Sequence, residues 1–157
     1  MIEELKLIES CIERMARNSF LIKGWSVSIF VAILALLPDS IEIVFVCVAG
    51  IFAAFIFWAL DAYYLQLERL FRLKYQWVIN YRKSTDAYLY DLNPNNKEMR
   101  YSDSDDTHIS FWKVFFSKSL LLMYSVMILF YLVLFVLEVL HGAEETSSIL
   151  QFSLFAR

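Results

Sequence analysis

The sequence predicts an all-α membrane protein: an amphipathic N-terminal helix, a tight two-span hairpin with a cytoplasmic helical extension, and a third, peripheral transmembrane helix. Three observations predict it. The 157 residues are 59% hydrophobic, too apolar for an ordinary soluble domain. Only 3 glycines and 2 prolines punctuate them, too few turn formers for a chain of many strands. The apolar residues gather in three runs, each close to the roughly 20 residues that cross a bilayer as a helix.

Residues 1–19 read as a cytoplasmic amphipathic helix. Ile2, Leu5, Ile8, Ile12 and Met15 recur at spacings of three and four and make one apolar stripe. Glu3, Glu4, Lys6, Glu9, Glu13, Arg14 and Arg17 take the other faces. This mixture of signs favours a partner helix over a membrane surface, which would select Lys and Arg. The first span, 20–37, carries Lys23 near its start, where the long stem returns the ammonium to the headgroups. Trp25 sits beside it, as suits a ring at the interface. The run is longer than a signal-peptide core, and Leu36-Leu37-Pro38-Asp39-Ser40 lacks a small-residue cleavage site, so the span is retained.

Pro38-Asp39-Ser40 forms an outer turn, 38–40, and the second span follows at 41–60. The same helix continues without Gly or Pro through 61–83 as a cytoplasmic extension with a polar side. Residues 84–110 form the long polar loop. It holds the turn signal Asn93-Pro94-Asn95-Asn96 and the acidic cluster Asp103-Ser104-Asp105-Asp106. Asp106 or Thr107 is placed to cap the next helix. A juxtamembrane helix and the third span occupy 111–141, and 142–157 is an external tail.

Orientation follows from the basic residues. Lys6, Arg14 and Arg17 precede the first span; Arg69, Arg72, Lys74, Arg82, Lys83, Lys97, Arg100, Lys113 and Lys118 lie between the second and third. The outer turn has none, and the tail has only Arg157. The positive-inside rule places the N-terminus in the cytoplasm and the C-terminus outside.

Small residues mark where helices approach closely in lipid. Gly24, Ser28 and Ala32 (with Ala35) share a stripe on the first span; Ala49, Gly50, Ala53 and Ala54 cluster on the second. These predict a tight hairpin, with a contact between copies of the chain as the competing use. A register centred on the outer turn sets Met15 opposite Tyr64, Ile12 opposite Leu67 and Ile8 opposite Phe71. The cytoplasmic helices then continue the hairpin, unless Asn18-Ser19 breaks the first. Asp61 is a candidate ion-pair partner for Lys23 or Arg17 across it. Glu68 and Arg72 have the favoured i, i+4 order. Trp58, Tyr63 and Tyr64 suit an interfacial belt.

No catalytic constellation is visible. His108 and His141 fall on opposite sides of the membrane and lack ligand-spaced partners. The acidic cluster lacks the Gly and distal Glu of a calcium loop, and no phosphate-cradling glycine motif occurs. No enzyme, cofactor or metal is expected. The net charge of −3 gives no nucleic-acid footprint. Cys11 and Cys47 lie at different depths and are expected as reduced thiols. The spans carry no midplane charge, which argues against a transporter; a pore formed by an oligomer stays open as an alternative.

Two stretches carry a resemblance: Arg14-Met15-Ala16-Arg17-Asn18-Ser19-Phe20-Leu21-Ile22-Lys23-Gly24-Trp25 and Asp61-Ala62-Tyr63-Tyr64-Leu65-Gln66-Leu67-Glu68-Arg69-Leu70-Phe71-Arg72. Together they resemble a family of small, largely uncharacterised bacterial inner-membrane proteins. The layout is similar to that of small membrane effectors of antiphage and conflict systems, although those have two spans. The resemblance implies a bacterial inner-membrane protein and carries no activity with it. The function expected of the chain is that of a non-enzymatic, oligomeric membrane effector or accessory subunit that meets a cytosolic protein partner through its cytoplasmic helices, with phage defence as a candidate setting. A triggered pore is the alternative, and a membrane enzyme is the remotest reading.

Overall fold

A computed structural model of the chain describes residues 1–35, 43–100 and 109–155, with side chains to 144. The outer turn 38–40, the acidic cluster 103–106, Thr107 and His108 lie outside the described residues. Four α-helices carry the architecture: α1 (Ile2–Ala35), α2 (Ile43–Tyr81), α3 (Phe111–Phe115) and α4 (Lys118–Phe155). α1, α2 and α4 are long and apolar enough to cross a membrane. The chain is an all-α, multi-pass membrane protein, and no strand occurs among the described residues.

α1 and α2 form an antiparallel pair, much of it beyond the apolar runs. α1 passes through Asn18-Ser19 without a break; Ser19 is buried and spends its hydroxyl on Asp61 of α2 rather than on the local backbone, so it does not compete with the helix. Its buried residues are Glu4, Ile8, Cys11, Met15, Ser19 and Ser26. As far as Ser19 they step by fours and threes, and Ser26 follows seven residues on, the period that keeps one seam facing a partner over many turns. Ile2, assigned above to the apolar stripe, is instead exposed; the buried seam runs through Glu4.

The hairpin residues Ile8, Met15 and Phe71 are buried in one cluster with Cys11, Trp77, Val78 and Met99. Ile12, Tyr64 and Leu67 pack against it half-buried. Its far end is offset from the turn-centred register. That register would set Glu4 beside Tyr75, yet Glu4 meets Arg82, about two helical turns further on.

α4 was expected at the periphery. It runs antiparallel to α2 and inserts two tyrosines, Tyr124 and Tyr131, both fully buried. The Tyr131 ring occupies the space that a side chain at Gly50 would need. Phe30 of α1 meets the Phe130 and Tyr131 rings edge-on at 5.4 and 5.3 Å. The small residues therefore serve differently from the expectation. Gly50 and Ala54 are buried and Ala53 half-buried, around a void that Tyr131 and Phe30 also line. Gly24, Ser28, Ala32 and Ala49 face outward, and nothing lies within 4 Å of a Cβ built on Gly24.

The juxtamembrane helix and third span are two helices. α3 ends at Phe115 and α4 begins at Lys118; Ser110, not Asp106 or Thr107, stands at the N-cap of α3 and makes no side-chain cap bond. The tail assigned to 142–157 is helical as far as Phe155.

Candidate functional site

The groups with chemistry gather where the apolar runs end. On α1, Ser19 and Lys23 lie one turn apart on the face toward α2. On α2, Asp61 is the first carboxylate after the second apolar run and is fully buried. Tyr124 reaches the same point from α4. Ser19 Oγ donates a short hydrogen bond to Asp61 Oδ1. Lys23 Nζ donates to Asp61 Oδ1 at 2.7 Å, stands 2.7 Å from Oδ2, and donates to Ser19 Oγ at 2.8 Å. Tyr124 Oη donates to Asp61 Oδ2 at 3.2 Å. The carboxylate of α2 thus joins three helices, held by a hydroxyl and an ammonium from α1 and a hydroxyl from α4.

The physics is that of a clasp. A buried carboxylate is costly unless its oxygens are hydrogen-bonded and its charge is paired, and all four contacts meet that need. The Lys23 side chain keeps 29% exposure, so part of its charge stays solvated. Arg17, the other candidate partner of Asp61, is exposed and does not share in the clasp. Glu68 and Arg72 pair at 2.7 Å along the helix surface.

A second buried pair closes the far end of the helical head, the part of α1 and α2 that extends beyond the apolar runs. The Glu4 and Arg82 side chains are 1% and 4% exposed and meet in a bidentate fork. The same guanidinium donates to the carbonyls of Ala87 at 2.6 Å, Thr85 at 3.2 Å and Tyr88 at 3.3 Å, and lies 5.3 Å from the Trp77 ring centroid. One arginine therefore joins the start of α1, the end of α2 and the loop after it.

Lys74 does similar work one level nearer the membrane. It donates to Asn93 O at 2.9 Å and stands 3.5 Å from Asp91. Asp91 accepts from Asn93 N and Asn96 Nδ2, both at 2.7 Å. Partial burial works to raise its pKa, but these bonds and the Lys74 charge outweigh it and hold the carboxyl below its usual value of 3.8. The described part of the expected polar loop is thus structured: Lys74 ties it to α2, and Arg82 ties it to α1 through Glu4.

Trp58, assigned above to an interfacial belt, is buried. It donates from Nε1 to Phe115 O at 2.9 Å, and its ring stacks on Phe115 at 4.3 Å. Gln66 donates to Ile109 O at 3.0 Å. These bonds dock α3 on α2. Tyr63 is exposed, whereas Tyr64 belongs to the head cluster.

Among the described residues no group of His, Cys, Asp and Glu side chains could hold a metal ion. Cys11 and Cys47 are buried free thiols. The sequence reading missed Ser19, Tyr124, Glu4 and Arg82. The last pair carried one signal: Glu4 falls in step with Ile8, Cys11 and Met15.

Clasp and fork together define a class: a multi-pass helical protein whose membrane section and helical head are built on the same two helices. Comparison of the chain with family models, curated proteins and solved structures finds no match.

Proposed function

We propose that this chain is a non-enzymatic, oligomeric protein of a bacterial inner membrane, acting as an effector or accessory subunit through its cytoplasmic helices, in defence against phage. The observation that carries the reading is the continuity of α1 and α2 from head to membrane section. A partner docking on the head acts directly on the helices that cross the lipid. The basic residues around the head support an N-terminus in the cytoplasm and a C-terminus outside. The stripe of Gly24, Ser28 and Ala32 faces outward among the described residues and supports contact between copies, since small residues permit close approach in lipid.

The same stripe favours the second reading, a triggered pore, because a pore of three-span subunits needs such a contact. Ser28→Cys, in a chain with Cys11 and Cys47 replaced, tests the assembly. Crosslinked dimers are expected from position 28. Crosslinking no stronger than from Leu122→Cys, on bulky α4, would remove the oligomer. Loss of membrane potential on induction assigns the pore. A cytosolic protein that co-purifies with the wild type and is lost with Ile12→Asp, at unchanged membrane yield, assigns the accessory role. A cytoplasm-active reporter fused after Arg157 should stay inactive; strong activity overturns the orientation.

A further inference from the structure

We propose that the groove between α2 and α4 binds an anionic phospholipid. An acyl chain lies along Phe55, Trp58, Val126, Leu129 and Leu132, and the headgroup phosphate is held at the start of α4 by Lys118. The inference rests on the chain crossing a bilayer and is independent of the effector reading.

The groove has a volume of about 430 Å³, and Ser125 is the polar residue among those lining it. Its inner wall is rigid. Trp58 is fixed by its bond to Phe115 O and stacks between Phe115 at 4.3 Å and Tyr124 at 5.8 Å, nearly parallel to both. Phe55 continues the stack at 6.0 Å. A wall with few rotamers to lose orders a chain at low entropic cost.

The charge lies in line with the groove. Lys118, Leu122, Ser125, Leu129 and Leu132 step by four and three along α4 and share one face. Leu122 and Leu129 are among the most exposed large apolar residues described, at 69% and 61%. Lys118 opens the helix at the end where α3 docks, is exposed, and makes no ion pair among the described residues. A cation on the first turn of a helix opposes the macrodipole, and an anion there offsets both the dipole and the charge. The preceding residue, Ser117, holds a buried hydroxyl without a hydrogen-bond partner among the described residues. Exposed Trp112 and Phe116 flank the site, and aromatic rings of this kind favour the headgroup level. An apolar trough ending at a lysine and a helix N-terminus matches one ligand, a lipid whose phosphate carries a net negative charge. A soluble anion has no use for the trough, and a zwitterionic lipid gains little from Lys118.

Native mass spectrometry of the full chain in detergent, titrated with phosphatidylglycerol or with phosphatidylcholine of the same acyl chains, tests this. The wild type is expected to take up phosphatidylglycerol at about fivefold lower concentration, the effect of one lysine near a phosphate. Lys118→Glu should abolish that preference, and Leu129→Trp should block adducts of both lipids by filling the trough. Lys97→Glu, a charge change on the head, should alter neither. Equal uptake of the two lipids by the wild type overturns the proposal, as does a preference that survives Lys118→Glu, or uptake that survives Leu129→Trp. Inorganic phosphate that raises the unfolding temperature as much as phosphatidylglycerol would make this a soluble-anion site and overturn the lipid assignment.

Discussion

Arg82→Met should open the head, and the size of the effect can be worked from the contacts. Replacing Arg82 leaves the Glu4 carboxylate buried without either of its direct ion-pair contacts, both of which come from that guanidinium, and with only the more distant Lys74 charge acting on it. Breaking a buried ion pair from one side costs about 3–5 kcal/mol. Glu4→Leu is the instructive counterpart. It strands the guanidinium less completely, because three loop carbonyls and the Trp77 ring still face it. Glu4→Leu should therefore fall at the low end of that range and Arg82→Met at the high end. The double variant removes both charges and should be less damaged than the two losses added together, with a coupling of about 0.5–3 kcal/mol. Hydrogen exchange of the full chain in micelles reads this locally. Protection of amides in 5–15 and 70–81 should fall by roughly 1,000- to 4,000-fold in Arg82→Met, while amides in 120–135 keep theirs. Equal losses for the two single variants, or strictly additive ones, would refute the reasoning, for the fork would then be no more than a surface contact.

Three further outcomes are expected. Gly50→Ala should lower folded yield in detergent, because the new methyl overlaps the Tyr131 ring; overpacking of this kind costs about 1–3 kcal/mol. Tyr131→Leu should rescue it, and Gly24→Ala should be silent. Lys23→Met should destabilise the three-helix contact by less than the 3–5 kcal/mol of a fully buried pair, as Lys23 is partly solvated, and Lys23→Met/Asp61→Asn should recover part of the loss, both read by thermal unfolding in detergent. Asp91 binds its proton more weakly folded than unfolded, so its stabilisation is complete above about pH 4 and disappears as the pH falls through its lowered folded pKa. Exchange protection around 93–98 should fall in that acid window, and Asp91→Asn should remove the dependence.

How much of this was legible varies with the physics. The three apolar helices were readable because lipid demands length and composition, and both are properties of one segment at a time. The hairpin cluster around Ile8, Met15 and Phe71 was readable because apolar side chains recur at helical spacing. Asp61 and Lys23 could be paired because each stands at the end of an apolar run. The Glu4–Arg82 fork was hidden for the opposite reason. A charge on an amphipathic helix reads as the solvent face, and its partner lies 78 residues away. The small stripes were assigned to the wrong neighbour. A stripe marks a place where something can come close, and only the tertiary arrangement shows that Tyr131 fills Gly50 while Gly24 stays open. The turn-centred register paired residues only as far as Ile8 and Phe71, and the Glu4–Arg82 fork lies beyond them, where two long side chains reach along the helices. The break between α3 and α4 carries no Gly or Pro; it falls at Phe116-Ser117, where α3 turns aside to dock on Trp58.

Asp61 divides α2 nearly in half. About 30 Å of helix runs from it to Tyr81 in the head and about 27 Å to Ile43 at the other end, at 1.5 Å per residue. A rod held near its midpoint is a lever with arms of nearly equal length, and the shared carboxylate is its fulcrum. If α2 tilts as a rigid rod about that point, a sideways displacement of its head end reappears almost undiminished, and reversed, at the opposite end.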